Sequence, residues 1–224
     1  MNNFIELKNL SKTFISTKNV KVLKKINFRF KVGKIYCLMG PSGSGKSTLL
    51  NIISLIDRPS TGSIKFQNDD INFNKSRKND IFRANNIGII YQQDNLLSDF
   101  TALENVYLAS LATGSEKKIA KDKAKNILKK VGLINRLDHY PNELSGGEKQ
   151  RVSISRALIN EPKIILADEP TGSLDKKTSE EIFGLLKKQI NPKRLIIFAT
   201  HNRFLANKSD CLLEMVDGNI KSTN

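Results

Sequence analysis

The chain has 224 residues and a formal net charge of +15, and its 39% hydrophobic and 26% charged residues are typical of a globular protein rather than a disordered one. Its apolar runs are far shorter than the ~20 residues that cross a membrane, and its first ten residues lack a signal-peptide pattern. Two cysteines without a CxxC pattern and two histidines argue against a disulfide scaffold or a Cys- or His-rich metal site and fit a reducing cytoplasm.

The first ninety residues alternate between strand and helix patterns. Period-two hydrophobicity predicts the strands, and a proline at position 59 limits the first helix. We predict strands at 4–9, 20–31, 35–40, 63–67 and 87–91, and helices at 46–56 and 75–85.

Between residues 101 and 161 the apolar residues recur at helical spacing. They predict three helices, of which the second ends at Gly132 and the third covers 147–160.

Strand patterns return at 163–168 and 194–200, on either side of a helix at 177–190. Asp217-Gly218 then separates two short apolar runs and predicts a hairpin. The sequence therefore predicts an α/β fold with an all-helical block inserted near residues 95–160.

A glycine-rich loop lies between the strand at 35–40 and the helix at 46–56. Its glycines let backbone N–H groups approach phosphate oxygens, and the helix N-terminus adds a positive dipole. Lys46 would pair with β- and γ-phosphates, and the Ser47 hydroxyl would bind Mg²⁺. The alternative, a Gly/Ser-rich turn beside a core strand, fits the strand–loop–helix context less well. The candidate nucleotide-binding residues form a GxxxxGK[ST] pattern: Gly40, Pro41, Ser42, Gly43, Ser44, Gly45, Lys46, Ser47 and Thr48.

Asp168 and Glu169 follow the apolar run 164–167, where the acidic half of such a phosphate site is expected. Asp168 would hold Mg²⁺, and Glu169 would act as general base for the attacking water. An acidic helix N-cap after a buried strand is the alternative, but the glycine-rich loop elsewhere in the chain favours the functional interpretation.

Ser145, Gly146 and Gly147 open a predicted helix in the sequence LSGGE. Two glycines after a serine form another anion-binding nest, and one ATP does not need two such loops from the same chain. We therefore expect a second copy to present this loop to the nucleotide of the first. A capping box of Ser145 with Glu148 is compatible with this, because the cap would fix the loop.

The glycine-rich loop, LSGGE, Asp168-Glu169 and Ala199-Thr200-His201 occur in the order found in the nucleotide-binding subunits of ATP-binding cassette (ABC) transporters, which the chain resembles over essentially its whole length. The resemblance implies a single ABC ATPase domain over residues 1–224. Its fold would be a P-loop NTPase core with an N-terminal antiparallel β-subdomain and an inserted helical subdomain, 95–160, that carries the LSGGE motif. The implied ligands are ATP and Mg²⁺, and the implied activity is ATP hydrolysis.

The same resemblance assigns roles to single residues. Phe14 corresponds to an aromatic that stacks on adenine. Gln92, with Gln93 beside it, corresponds to a glutamine that senses γ-phosphate and Mg²⁺ and links to the membrane subunit. His201 would contact the γ-phosphate, and Asp175 lies in a loop that crosses between monomers; without the resemblance, His201 would be interpreted as a core histidine. The implied catalytic residues are Glu169, His201 and Gln92, and the implied Mg²⁺ ligands are Ser47, Gln92 and Asp168.

Residues 96–106 resemble the branch of this family that includes the ATPases of lipoprotein-releasing (Lol) systems, with macrolide and peptide exporters and a cell-division ATPase as near relatives. This implies an ATP-sandwiched homodimer and a Lol-type pair of integral membrane permease subunits, contacted through residues 92–106. The chain would be peripheral, on the cytoplasmic face of the inner membrane, with membrane contact through these partners. A soluble ATPase that acts on ribosomes or DNA is the alternative from another class.

The +15 charge is compatible with a nucleic-acid or anionic membrane partner, and also with an AT-rich genome. Lysine supplies 28 of the 37 basic residues, and Lys, Asn and Ile together make up 76 of the 224 residues, which favours codon usage. Basic residues cluster at 117–130 with the spacing of a solvated helix face, and no aromatic residues lie among them for base stacking. We therefore expect no nucleic-acid partner.

Overall fold

The computed structural model describes residues 4–15, 17, 19–67 and 69–222. Its strands are β1 (Ile5–Phe14), β2 (Val20–Phe30), β3 (Ile35–Met39), β4 (Thr61–Phe66), β5 (Asp69–Asp70), β6 (Ile87–Ile90), β7 (Ile164–Asp168), β8 (Leu195–Ala199), β9 (Cys211–Val216) and β10 (Asn219–Ser222). Its α-helices are α1 (Lys46–Ile53), α2 (Ser76–Asn86), α3 (Ala102–Leu111), α4 (Lys117–Lys130), α5 (Gly146–Leu158), α6 (Lys176–Lys187) and α7 (Arg203–Ala206). Short 3₁₀ turns cover Ile134–Arg136 and Pro141–Glu143.

The chain divides into two compact units. The first, unit 1, comprises residues 1–80 and 190–224, and the second, unit 2, comprises residues 81–189, so the division falls inside α2. Among the described helices, none has the length and hydropathy required to span a bilayer.

Unit 1 contains an antiparallel sheet and a mixed one. The antiparallel sheet has the order β2-β1-β4-β5, and in the other β3 lies between β8 and β9, parallel to both. β3 reads IYCLM, and its first four residues are buried, as expected for a central parallel strand. β9 and β10 form the hairpin predicted around Asp217-Gly218, where both residues have positive φ, as a tight two-residue turn requires.

Unit 2 combines the end of α2 and four complete helices, α3 to α6, with two parallel strands, β6 and β7. On α4, Ala120, Ala124 and Leu128 repeat every four residues, so they share one face, and all three are fully buried. They pack in one apolar cluster with residues of α3 and α5, among them Val106 and Val152. The predicted helical spacing of this region is therefore confirmed by the packing it produces.

The structure confirms the α/β fold with an N-terminal antiparallel sheet and helices in the middle of the chain. It differs from the sequence-based prediction at α1, which ends at Ile53 instead of residue 56, because Leu55 adopts a left-handed backbone with φ 62° while its side chain is buried. The short elements β5 and α7 were not predicted.

We expect Gly88→Ala to destabilise the protein strongly. Gly88 lies on β6, and a Cβ placed there would lie 2.3 Å from the carbonyl oxygen of Ala157 on α5. Backbone atoms on both sides must then separate, and overpacking of this kind costs about 1–3 kcal/mol, which lowers the thermal midpoint by roughly 3–10 °C in a chain of this size. Thermal unfolding followed by circular dichroism measures the shift.

Gly184→Ala is the matched control for this substitution. Gly184 lies inside α6, and nothing lies within 4 Å of the Cβ it would gain. Because alanine favours helix over glycine, this variant should be as stable as the parent or more so. Equal destabilisation by both substitutions would contradict the close packing of α5 on β6.

Candidate functional site

The predicted site residues fall into two groups, one in each compact unit. In unit 1, the glycine-rich loop leaves β3 and enters α1 at Lys46. Gly45 is the N-cap of α1 with φ 101°, and a Cβ there would lie 2.8 Å from the Leu23 side chain, so glycine is required on both counts. The first turn of α1 carries no acidic residue and no side-chain cap. Its N–H groups are therefore available to an anion.

The Lys46 ammonium lies against the backbone of the glycine-rich loop. Lys46 is only 8% exposed, and its Nζ donates hydrogen bonds to the carbonyl oxygens of Gly40 (2.7 Å) and Pro41 (3.1 Å). Within the described residues, the buried Ser44 Oγ has no hydrogen-bond partner. A buried cation beside an unsatisfied hydroxyl and free helix N–H groups fits a phosphate chain.

His201 lies at the same edge of the sheet as this loop. β3 and β8 are parallel, and Leu38 pairs with Ala199, so Gly40 and His201 each lie two residues beyond this pair. The Thr200 N–H donates to the Leu38 carbonyl and ties the two strand ends together. His201 itself is exposed. The structure therefore places His201 just beyond the end of a strand, as the sequence predicts.

Phe14 is the last residue of β1 and is 45% exposed. The Lys12 ammonium lies 4.8 Å from the centre of its ring, while the same group forms an ion pair with Asp57. A half-exposed ring held at a strand end can stack on a planar base.

Asn202, next to His201, is the N-cap of α7. Its Oδ1 accepts hydrogen bonds from the N–H groups of Phe204 (3.0 Å) and Leu205 (3.4 Å). Asparagine is among the residues most favoured at the N-cap of a helix. This local signal in the sequence could have predicted α7.

In unit 2, the predicted acidic residues Asp168 and Glu169 lie at the end of β7, next to the end of β6. Ile90 pairs with Ala167, which brings Tyr91 and Asp168 to the same step of the two parallel strands. Burial raises the pKa of Tyr91; the positive charges of Arg83 and Arg156 oppose this, and the negative charge of Asp168 adds to it. Glu169 follows with φ 47°, a left-handed conformation uncommon outside glycine. The strand end therefore turns sharply at the predicted general base.

Gln92 lies beside the loop that follows β7. A Cβ added to Gly172 would lie 2.9 Å from the Gln92 Nε2 atom, so the amide passes directly over this glycine. The exposed Gln92 side chain, rather than its neighbour Gln93, is in this position.

Two side chains of α5 hold the segment around Gln92, and neither was predicted. The buried Gln150 donates from Nε2 to the Tyr91 carbonyl (3.2 Å). Arg156 donates to the carbonyls of Asp94 and Asn95, both at 2.7 Å. Burial lowers the pKa of Arg156, and the nearby Asp94 opposes this. These contacts join residues about 60 positions apart, so no local pattern in the sequence could reveal them.

A third unpredicted residue, Asn105 of α3, shapes residues 97–101. Asn105 is almost fully buried, and its Oδ1 accepts the Leu97 N–H at 2.8 Å. Its Nδ2 donates to the carbonyls of Leu97, Phe100 and Thr101. The apolar side chains of Leu97 and Phe100 are thereby left exposed on a fixed backbone.

Ser145, Gly146 and Gly147 open α5 with the predicted capping box. The Glu148 N–H donates to Ser145 Oγ (3.3 Å), and the Ser145 N–H donates to Glu148 Oε2 (2.8 Å). The Ser145 N–H holds the pKa of Glu148 below its ordinary value, with further help from the Arg136 guanidinium at 2.9 Å. The exposed Ser145 and Gly146 therefore lie on a rigid helix start.

Asp175 is the N-cap of α6. Its carboxylate accepts hydrogen bonds from the Thr178 hydroxyl (2.6 Å) and N–H (3.0 Å), and these bonds lower the Asp175 pKa. A Cβ on Gly147 would lie 2.8 Å from the Thr178 methyl group, so the starts of α5 and α6 are in contact. Together they line a cleft of about 530 Å³ that contains Ser145, Gly146, Gly147 and Asp175.

The structure thus assembles Gly40–Thr48 with His201 in unit 1, and Ser145–Gly147 with Asp175 in unit 2. Among the residues that the structure describes, no group of three or more His, Cys, Asp or Glu side chains could hold a metal ion. The predicted Mg²⁺ ligands are of another kind, since they combine one carboxylate with a hydroxyl and an amide.

Comparisons with known proteins agree on one family. The family model described as ABC transporter matches residues 23–172. The lipoprotein-releasing system ATP-binding protein LolD of Rickettsia bellii is 46% identical over 219 residues, 97% of each chain, and that of Wigglesworthia glossinidia brevipalpis is 44% identical over 228 residues, all of both chains. Among solved structures, the dimeric bacterial ABC transporter cassette MJ0796 has a TM-score of 0.89 at 39% identity, covering 97% of this chain and 96% of that one. The same cassette in a dimeric post-hydrolysis state bound to ADP and Pi has a TM-score of 0.87 at 37% identity, with the same coverage.

Proposed function

Because this chain belongs to the ABC transporter family and is an ATPase of that family, we propose that it powers the release of lipoproteins from the inner membrane toward the outer membrane. The observation that carries the proposal is the 42–47% identity with lipoprotein-releasing ATP-binding proteins over nearly the whole chain. The chain would act at the cytoplasmic face of the inner membrane, bound to integral membrane subunits that contact the cargo.

We propose that two copies enclose two ATP molecules head to tail. The dimeric structures of the similar cassette MJ0796 support this arrangement. Each nucleotide would meet Lys46 of one copy and the exposed Ser145–Gly147 loop of the other. ATP closes the dimer because both half-sites bind its γ-phosphate, and hydrolysis with phosphate loss removes that link and opens it.

The residues of the glycine-rich loop bind the phosphates in this proposal. Lys46 pairs with the β- and γ-phosphates, and its present bonds to two loop carbonyls support this, since they hold the ammonium against the glycine-rich loop. Phe14 stacks on adenine, and its half-exposed ring supports that role.

Hydrolysis needs a base and a way to position the water. Glu169 takes the proton of the attacking water, and His201 contacts the γ-phosphate and steadies that water. Gln92 responds to the γ-phosphate and passes its state to residues 94–101, which Arg156 and Asn105 hold in shape. Asp175 fixes the start of α6 beside the Ser145 loop.

Ser47, Gln92 and Asp168 are the residues that would hold Mg²⁺. A bound Mg²⁺ would neutralise charge on the β- and γ-phosphates. Hydroxyl, amide and carboxylate oxygens suit this hard cation, and Ser47 is exposed in the first turn of α1.

Purification of the tagged full chain from detergent-solubilised membranes of its own host tests the function. We expect two related integral membrane proteins with large periplasmic domains, together with bound acylated lipoprotein, identified by mass spectrometry. A single unrelated membrane partner would contradict lipoprotein release and indicate another exporter or a cell-division complex. Ribosomal or nucleic-acid material without a membrane protein would contradict transport altogether.

Leu97→Glu with Phe100→Glu should abolish this co-purification and leave basal ATPase activity within a few-fold of the parent. Both side chains are exposed and apolar in the segment proposed to contact the membrane subunits, and two carboxylates there would be buried unpaired in the complex. Ile81→Glu on α2 is the control, since Ile81 is also exposed and apolar but lies outside the segment. Retention of the partners by the double variant would assign their contact to another surface.

A further inference from the structure

Helix α4 carries an unusual concentration of positive charge. Its 14 residues include seven lysines and one acidic residue, Asp122, so this short helix has a net charge of +6 in a chain of +15. All seven lysines are exposed and are called the lysine face: Lys117, Lys118, Lys121, Lys123, Lys125, Lys129 and Lys130.

The lysine face is almost without partners inside the protein. Lys121 lies over the Tyr107 ring, with its Nζ 5.7 Å from the ring centre. The other six ammonium groups make no ion pair, hydrogen bond or ring contact with any residue that the structure describes. Two arginines of unit 2 pair with carboxylates, Arg136 with Glu148 and Arg151 with Glu181.

In the N-terminal half of α4 this arrangement opposes helix stability, whereas Lys129 and Lys130 in the last turn are favourably placed for the helix dipole. Lys117, Lys121 and Lys125 follow one another at intervals of four, so like charges face each other along the helix. Lys117 and Lys118 also occupy the first turn, where the helix dipole favours anions, and the N-cap Glu116 makes no capping bond. A cost of this kind, without a compensating contact in the chain, points to an external anion.

Codon usage does not explain the concentration on one helix. α6 in the same unit has 12 residues and three lysines, but Glu180 and Glu181 reduce its net charge to +1. An AT-rich genome would enrich both helices in lysine to a similar degree and would not remove the acidic residues from α4.

The opposite face of α4 leaves no apolar surface for insertion into a partner. Ala120, Ala124 and Leu128 are fully buried in the cluster of unit 2, and the one exposed large apolar side chain on the helix is Ile119. The contact made by α4 is therefore electrostatic. Lysine forms such contacts as a mobile point charge, which suits a fluid array of anions better than a fixed bidentate partner.

We propose that the lysine face binds the anionic surface of a phospholipid bilayer directly, in addition to any contact through membrane subunits. Clusters of four to eight basic residues on an amphipathic helix bind such surfaces by charge alone. Nucleic acid fits less well, because α4 offers no aromatic side chain on which a base could stack. The proposal concerns the chain alone and is independent of the lipoprotein-releasing assignment.

Flotation of the purified full chain with lipid vesicles tests the proposal without any membrane subunit. We expect binding to phosphatidylcholine vesicles that contain about one-third phosphatidylglycerol, no binding to phosphatidylcholine alone, and loss of binding when salt is raised from about 0.05 M to about 0.5 M. The triple variant Lys118→Gln, Lys125→Gln and Lys129→Gln should bind the anionic vesicles about a hundredfold more weakly.

Lys24→Gln, Lys34→Gln and Lys193→Gln together form the control. These three exposed lysines lie in unit 1, so the control has the same net charge as the α4 variant and should bind within a few-fold of the parent. Both triple variants should keep the parent's circular dichroism spectrum. Equal loss by the two variants, or equal binding to neutral and anionic vesicles, would overturn the proposal. Tighter binding to single-stranded poly(U) than to vesicles, lost in the α4 variant, would assign the face to nucleic acid.

Discussion

Replacement of Glu169 by glutamine is expected to slow ATP hydrolysis by about 10²- to 10⁴-fold while ATP binding remains within a few-fold of the parent. The amide keeps the size of the side chain but does not accept the proton of the attacking water. The sharp turn at Glu169 follows β7 directly, so the strand sets the backbone position from which this carboxylate extends. Phosphate release measures turnover, and size exclusion in ATP should show an accumulated dimer.

The control for this variant is Glu161→Gln. Glu161 is also a glutamate with a left-handed backbone, φ 51°, and it is exposed after α5, outside the predicted site. Any effect of an amide on such a backbone is therefore matched, and Glu161→Gln should hydrolyse ATP at the parent's rate. Turnover of Glu169→Gln within a few-fold of the parent would rule out Glu169 as the base.

Lys46→Ala is expected to weaken ATP binding by roughly 10- to 100-fold. The substitution removes a charge-assisted hydrogen bond to phosphate, and such bonds contribute about 1.5–3 kcal/mol. It also releases the carbonyls of Gly40 and Pro41, which the ammonium now draws together. Equilibrium binding of a fluorescent ATP analogue measures the loss, and the stabilisation that ATP confers on thermal unfolding should fall in parallel.

Lys24→Ala is the control, since Lys24 is an exposed lysine of β2 with no predicted role. It should bind ATP as the parent does. If Lys46→Ala bound ATP with the parent's affinity and unfolded at a lower temperature, the ammonium would be a structural brace of the loop, not a phosphate ligand.

The parts of the fold that the sequence predicted are those with local causes. Ser145 and Glu148 of the capping box are three positions apart, and the hairpin turn consists of Asp217 and Gly218. Both can therefore be predicted from a short stretch of sequence. The early end of α1 was missed because Leu55, a residue without any preference for positive φ, is drawn into the core at that point. Tertiary packing, and not helix propensity, therefore sets the end of α1.

The candidate site divides in the same way. The glycine-rich loop and the acidic strand end are contiguous motifs, and the structure places each at a strand terminus. Arg156 and Asn105 had no such signal, because their hydrogen-bond partners are backbone groups, which residues of every type carry.

The position of β3 between β8 and β9 has a consequence for biosynthesis. Cys37 of β3 pairs with Phe198 of β8, so β3 can form this pairing only after about 160 further residues have been translated. At roughly 5–20 residues per second the ribosome takes about 8–30 s to supply it. During that time β3 is an apolar strand with two open edges, which is a hazard for aggregation. The loop at Gly40–Thr48 is encoded near the start of the chain, yet it acquires its support among the last parts of the molecule.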